Sequence, residues 1–515
     1  MTQQVVSPQS SREQNPKSSG SLRWALAAWI LGMVLIQGLG ASTKDRLAAE
    51  RDYYAGTLGH RPADIVRAVR AYLADANDMR RYYAYANAFL GKPYYAYYVR
   101  SAASWNAEFR GDAPPQKEDG TLVTPSSMQL PYRDYLVEYP PGVFLATLPP
   151  ALLLPAGDYG DAYCTLFTVE MALLLSAAIW MCLRLRVYLP GHESALRPPS
   201  AALWAAAAMG CFGIGAIATH RFDPVIGLLL VAIGLAACSE RWLLSGALLG
   251  LAVVSKGVPL LVAPVWLVYL IRRAQLGGPQ RLSVAVGKAL LGATLVGLLF
   301  SIPMFLWTGL SMFDALRYHA DRPLQIESTG AAILGMLQAS YPGTIKSVSS
   351  FGSMNVVPHG STLAGVDALL KWSHWPLTGL GIIAVVVHLA VRMKRAVVRK
   401  DLAQLTELAL RGQCAVMVLF MVFARMFSPQ YLIWILPLGL LLSLRVSRGL
   451  TGLLLVVFCL TQIVLHALDT LSTWAFVILF LRNGLLLGWS VWLSLTNVRL
   501  SHSAGVTLES RLQRV

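Results

Sequence analysis

Apolar runs of spanning or near-spanning length recur about a dozen times between residues 24 and 495, and short loops rich in Lys and Arg punctuate them. In lipid every backbone polar group has to be satisfied within the structure, so runs of this kind are expected to be helices. They fall at 24–40, 140–156, 162–183, 201–218, 222–238, 242–255, 258–271, 286–308, 376–391, 412–427, 430–444, 450–467 and 472–495, several of them barely long enough to span. The expected fold class is an all-α polytopic membrane protein with about 11–13 membrane segments. Composition agrees, since 55% of the 515 residues are hydrophobic and only 14% charged.

The net charge of +16 would suggest nucleic acid in a soluble protein. Here the excess crowds beside apolar runs, so it reads as topology, and no nucleic-acid partner is expected. Arg184, Arg186 and Arg197; Arg272, Arg273 and Arg281; Arg392, Lys394, Arg395, Arg399 and Lys400; Arg445 and Arg448; and Arg499, Arg511 and Arg514 all belong on the cytoplasmic side. These assignments alternate consistently from residue 184 onward. The first run follows a polar tail with Arg12, Lys17 and Arg23 and lacks a clear cleavage motif, so it reads as a retained anchor.

Residues 1–20 read as a disordered cytoplasmic tail, 21–495 as one membrane domain and 496–515 as a basic cytoplasmic tail. Two long polar stretches, 42–138 and 309–375, are expected outside. The first carries helical spacing at Ile65, Val69, Tyr72 and Leu73, a second helix from Asn77 or Asp78 to Gly91-Lys92-Pro93, and a crowd of tyrosines suited to interfacial helices. Residues 111–127 read as an exposed irregular loop. The run at 140–156, with Pro140-Pro141 and Pro149-Pro150, upsets the alternation unless it enters and leaves on the outer side. Six cysteines in or beside apolar runs show no C-x-x-C spacing and read as packing residues, with no metal site and no cofactor expected.

The polar residues these runs fail to exclude sit at their ends, and the charge bias places them on one outer face: Asp78, Glu138, Arg221, Asp223, Lys256, His319, Arg322, Glu327, Arg425 and Gln430. Taken singly, each has an ordinary explanation. Asp78 and Glu138 suit helix caps, and Asp223 suits a pair with Arg221. The cations Arg221, Lys256, Arg322 and Arg425 come from different segments at the mouths of apolar runs, where they suit an anionic group at headgroup level, a lipid-linked phosphate above all. Asp78 or His319 then supplies a base for an attacking hydroxyl, while the cations stabilise a leaving phosphate.

In order along the chain, Asp78-x-x-x-Tyr82, Leu90-Gly91-Lys92-Pro93-Tyr94, Tyr132-Arg133-Asp134-Tyr135-x-x-Glu138-Tyr139-Pro140-Pro141, Arg221-Phe222-Asp223, Gly250-Leu-Ala-x-x-x-Lys256-x-x-Pro259, Asp321-Arg322-Pro-Leu-Gln-Ile-Glu327-Ser328 and Phe427-Ser428-Pro429-Gln430-Tyr431 resemble the GT-C membrane glycosyltransferases. More narrowly they resemble glycosyltransferase family 87, the bacterial polyprenyl-phosphate-mannose-dependent mannosyltransferases. The resemblance runs from the first apolar run to about residue 440. It implies a GT-C-type fold in the bacterial plasma membrane and a metal-independent, inverting transfer from a polyprenyl-phosphate sugar to a glycolipid or glycan acceptor on the extracytoplasmic side. It also implies Asp78 as the base, His319 assisting, and Arg221, Lys256 and Arg322 on the donor phosphate, with Arg425 a further cation there. Glu138, Asp134, Asp223, Glu327, Gln430 and Tyr82 are acceptor or supporting residues. The stretch between Tyr94 and Tyr132 is longer than the pattern leads one to expect, which makes Asp134 and Glu138 rival bases. A transporter or flippase of a lipid-linked glycan is the alternative, although no internal repeat is evident. An inactive scaffold of the same fold is a third reading.

Overall fold

The computed structural model describes residues 77–92, 131–132, 137–157, 159–190, 200–276, 279–351, 353–468 and 471–496. The two expected tails (save Thr496), the first apolar run, Asp134, the helical spacing around Ile65 and the 111–127 loop lie outside them.

The helices are α1 (Asn77–Phe89), α2 (Phe144–Leu152), α3 (Gly160–Leu185), α4 (Ser200–Ile214), α5 (Ile217–His220), α6 (Asp223–Cys238), α7 (Trp242–Ser255), α8 (Ala263–Ala274), α9 (Pro279–Thr308), α10 (Asp314–Asp321), α11 (Thr329–Leu337), α12 (Ala364–Val398), α13 (Leu402–Phe423), α14 (Leu432–Val446), α15 (Arg448–Leu468) and α16 (Thr473–Leu495). Among the described residues, six helical stretches are long and apolar enough to cross a bilayer, and five shorter apolar helices accompany them. The chain is an α-helical integral membrane protein. The apolar windows of α13 and α14 are 94% and 89% buried, against 11% for the stretch containing α9 and 17% for α12. The first pair therefore forms the hub and the second lies on the lipid-facing rim.

Close approach of α7 to α9 depends on Gly246 and Gly250, one helical turn apart, facing Ala289 and Ala293. A Cβ at position 250 would come within 2.6 Å of the Ala293 carbonyl oxygen, so only a bare backbone fits this small-residue contact. Gly250→Val is expected to destabilise the protein by about 2 kcal/mol, read as a lower melting temperature in detergent. An unchanged melting temperature would show that the two helices can part at no penalty.

Among the described residues, the basic loops gather at one end of the bundle. Tyr188 Oη lies 2.8 Å from Ser239 Oγ, Arg273 pairs with Glu240, Arg272 Nη2 donates to Ala390 O at 3.2 Å, Arg392 donates to Ser494 O, and Arg445 Nη2 donates to Pro190 O at 2.6 Å. Arg221 and Asp223 at the start of α6, Lys256 at the end of α7, and Arg425 after α13 occupy the other end.

Three boundaries differ from the sequence reading. The run placed at 412–427 begins a full ten residues earlier, at Leu402, because Glu407 and Arg411 interrupt the apolar pattern yet are buried as an ion pair with Arg445. The stretch 309–375 is not a loop: it contains α10, α11, the start of α12 and a three-stranded antiparallel sheet. The strands are β1 (Leu324–Gln325), β2 (Ile345–Ser350) and β3 (Ser353–Pro358), in the order β1-β3-β2. Polar, β-branched sequences such as Ile345-Lys-Ser-Val carry no apolar run, and cross-strand pairing specifies them instead. The 140–156 run becomes a 3-10 turn, Pro141–Val143, followed by nine-residue α2, too short to span. Both ends of this segment meet residues of α1 or just beyond it. Arg81 reaches Glu138 ahead of it, and Lys92 Nζ donates to Ala151 O and Leu154 O behind it, each at 2.7 Å.

Candidate active site

Asp78 occupies the first turn of α1, where the helix dipole favours a carboxylate. Three residues on, Arg81 lies on the same face, with its Nη1 3.5 Å from Asp78 Oδ1 and 2.9 Å from Glu138 Oε1. Arg221, in extended backbone between α5 and α6, pairs with the other Asp78 oxygen. Asp78 is thus an acceptor held between two guanidinium groups, and Arg81 ties it to its rival Glu138.

His319 comes to the same place from the last turn of α10, its Nε2 2.9 Å from the Glu138 carbonyl oxygen. A carbonyl only accepts, so Nε2 carries the proton and Nδ1 keeps its lone pair. That Nδ1 is buried and has no hydrogen-bond partner. The imidazole therefore has the tautomer a base needs.

Lys256 follows α7 in extended backbone, and the Pro140-Pro141-Gly142 turn is pressed against the helix end that precedes it. A Cβ on Gly142 would lie 2.7 Å from Ser255 N, so that turn seats Lys256 directly. Its Nζ bonds Asp223 Oδ1 at 2.7 Å, and Trp434 Nε1 donates to the same oxygen at 2.6 Å. Four rings surround the ammonium: Tyr431 at 4.7 Å, Trp434 at 4.9 Å, Phe222 at 5.0 Å and Tyr139 at 5.7 Å. Lys256 is committed to this box, and Asp223 pairs with it and not with Arg221. Lys256→Met is expected to destabilise the protein by about 3 kcal/mol, because it strands a carboxylate that is 1% exposed. Adding Asp223→Asn should recover part of that loss in a thermal melt, and a simple sum of two losses would refute the pairing argument.

The third cluster is the turn from Arg322 to Thr329. Gln325 N donates to Arg425 O at 2.9 Å, β1 pairs with β3, and the Ser328 side chain caps α11 by accepting from Ala331 N at 3.1 Å. Arg425 donates to Lys371 O at 2.8 Å and Ala320 O at 2.7 Å, and its guanidinium lies over Trp372, so it fastens this turn to α10 and α12. Gln430 accepts from Ser428 at the 3-10 turn that begins α14. Glu327 is buried, with Oε2 unpartnered. Burial pushes its carboxyl above the ordinary carboxylate range, while Arg482 and Arg322 pull the other way.

Arg322 is 8% exposed. Its guanidinium touches one polar atom among the described residues, the Met426 sulfur 3.1 Å from Nη1, and its Nε has no partner. Arg221, Lys256 and Arg425 each have a carboxylate or a carbonyl as partner.

The structure thus brings Asp78, Glu138, Arg221 and His319 into one cluster, Asp223 and Lys256 into a second, and Arg322, Gln325, Glu327 and Arg425 into a third. Charges in all three act on the buried Tyr431. Tyr82 lies beneath them against Tyr139, Phe167 and Phe222, with ring centroids 6.2, 5.4 and 5.9 Å away. Sequence reasoning passed over Arg81, Trp434 and Arg482. Of these, Arg482 had a visible signal, a cation in the middle of the last apolar run. Among the described residues no group of three or more His, Cys, Asp and Glu side chains is placed to hold a metal ion. Compared with known proteins, the chain matches no family model and no curated sequence. The likeness to membrane glycosyltransferases rests on the ordered motifs alone.

Proposed function

We propose that this chain is an inverting glycosyltransferase of the GT-C type. It transfers a sugar, mannose by the resemblance, from a polyprenyl phosphate to an acceptor hydroxyl at the extracytoplasmic face of the bacterial plasma membrane. The side follows from charge: the basic end of the bundle belongs to the cytoplasm, and the clustered site is at the other end. The observation that carries the reading is Arg322, a nearly buried guanidinium without a carboxylate or carbonyl partner among the described residues, whose charge acts on Glu327 and on His319, an imidazole with a bare nitrogen. A guanidinium in that condition suits a phosphate, which it can grip with two parallel bonds.

In the reaction, the acceptor oxygen bonds to the anomeric carbon from the face opposite the phosphate, and the bond from that carbon to the phosphate oxygen breaks. The acceptor proton passes to Asp78, and the extra negative charge on the departing polyprenyl phosphate falls to Arg322. Arg221 and Arg81 orient the base, His319 positions the acceptor, and Lys256 supports the floor through Asp223. The test is transfer of labelled mannose from synthetic polyprenyl-phosphate mannose to a mixed glycolipid extract by the reconstituted protein. Transfer is expected. No transfer from that or any other polyprenyl-phosphate sugar, together with movement of a lipid-linked glycan across the vesicle membrane, would replace this reading with transport.

A further inference from the structure

We propose that the cleft at the basic end of the bundle, between α12, the start of α13 and the end of α16, binds a phosphate group, carried there by an anionic membrane lipid. The site lies at the opposite end from the candidate active site and does not depend on the sugar-transfer reading.

Arg392 of α12, Gln404, Glu407 and Arg411 of α13, Thr496 after α16 and Pro190 after α3 line this cleft. At its inner wall two arginines share a single carboxylate. Arg411 Nη2 pairs with Glu407 Oε1, and Arg445 Nη2, from α14, lies 3.3 Å from Glu407 Oε2. Both side chains are buried, 2% and 3% exposed, and among the described residues neither pairs with a second carboxylate. Asp401, the other carboxylate at the start of α13, caps that helix by accepting from Gln404 N at 2.9 Å. The remaining bonds of the two arginines go to carbonyls. Arg411 Nη1 donates to Leu493 O at 2.7 Å and Thr496 O at 2.6 Å, Arg445 Nη2 donates to Pro190 O at 2.6 Å, and the Nε of each is buried without a partner. Carbonyls at the end of α16 answer about half a charge, so part of the buried positive charge is left over. A buried cation without its own counter-charge is costly and is kept where it meets an anion.

Arg392 is half-buried at the mouth of the cleft, where it donates to Ser494 O, and Arg399 reaches the rim by donating to Gln404 Oε1 at 2.8 Å. The enclosed part of the cleft has room for about one water-sized atom, so one phosphate oxygen enters toward Arg411 and the rest of the group stays beside Arg392. The helices on either side of the mouth face lipid. Val391 and Val398 of α12 and Trp492 and Leu495 of α16 are all exposed, which gives acyl chains an apolar surface next to the cations. A soluble anion has no use for those surfaces, whereas basic pockets between membrane helices suit anionic headgroups.

The test melts the full-length protein in detergent with added phosphatidylglycerol, with phosphatidylcholine and with millimolar inorganic phosphate. Phosphatidylglycerol is expected to raise the melting temperature of the wild type by about 3 °C, and phosphatidylcholine by much less. Arg392→Gln should lose most of that shift, whatever its melting temperature without lipid, while Lys394→Gln, which removes an exposed charge outside the cleft, should keep it. Glu407→Gln removes the shared carboxylate, so it should melt earlier alone and gain a larger shift than the wild type, which arginines that only pack the helices would not show. An equal shift from inorganic phosphate would keep the phosphate site and overturn its lipid source. No shift from phosphatidylglycerol, equal shifts from the two lipids, equal losses in Arg392→Gln and Lys394→Gln, or a Glu407→Gln shift no larger than that of the wild type would each overturn the proposal. Should Glu407→Gln fail to fold, the comparison of Arg392→Gln with Lys394→Gln decides alone.

Discussion

Asp78→Asn is expected to lower kcat for sugar transfer by about 10²–10⁴-fold with the donor KM nearly unchanged, since it removes a proton acceptor and leaves the phosphate contacts in place. Asparagine keeps the size and one acceptor oxygen, so it can still receive Arg221 or Arg81, but its amide presents hydrogens to the other guanidinium. Arg81 bridges Asp78 and Glu138, with contacts at 3.5 and 2.9 Å, so the two carboxylates are coupled and the controls matter. Glu138→Gln is expected to be much milder, because its backbone carbonyl, which His319 uses, survives the change. His319→Ala should fall between them. If Asp78→Asn kept the wild-type rate while His319→Ala lost it, the base would be the bare Nδ1 of His319 and the assignment would have to move there.

Which parts of this were legible in the chain follows from the physics of each signal. Apolar runs and basic loops are local and additive, so each described helix from α3 to α9 and from α12 to α16 overlaps an expected run, whereas α10 and α11 were not expected. Pairing partners are not local. Asp223 seemed matched to Arg221, two residues away, yet it bonds Lys256 across 33 residues and Trp434 across 211, while Arg221 turns to Asp78. Residue spacing in a short irregular connection says little about which way a side chain faces. The 402–411 stretch, nearly three helical turns, was misread because charged residues interrupt its apolar pattern, and only their burial against a counter-charge or a carbonyl reveals that the helix continues through them. Arg482 lies inside a run whose helix was expected, and only its contacts were missed. The sheet at 324–358 escaped because its strands hold few apolar residues and depend on partners distant in sequence. Gathering of polar residues at one end was readable from charge bias alone, whereas the division among three clusters was not.

Arg322→Ala is expected to reduce kcat/KM for the polyprenyl-phosphate donor by about 10²–10³-fold, or about 2.7–4 kcal/mol, the loss seen when one well-placed stabiliser of developing charge is removed. Arg322→Lys should recover part of it, since an ammonium keeps the charge and loses the paired geometry with which a guanidinium meets two phosphate oxygens. The thermal signature separates this residue from its neighbours. Lys256→Met strands Asp223 and should unfold readily, but Arg322 gives up a contact with the Met426 sulfur and a longer-range attraction to Glu327, and no carboxylate loses a bonded partner. Removing a nearly buried cation that has no carboxylate in bonding contact is therefore expected to leave the melting temperature unchanged or raised. A variant with lost transfer, weakened binding of free polyprenyl phosphate and an intact melt is the result that marks Arg322 as the phosphate holder. Were the same variant to melt early and still bind the phosphate as wild type does, Arg322 would be a packing residue and the donor site would lie elsewhere.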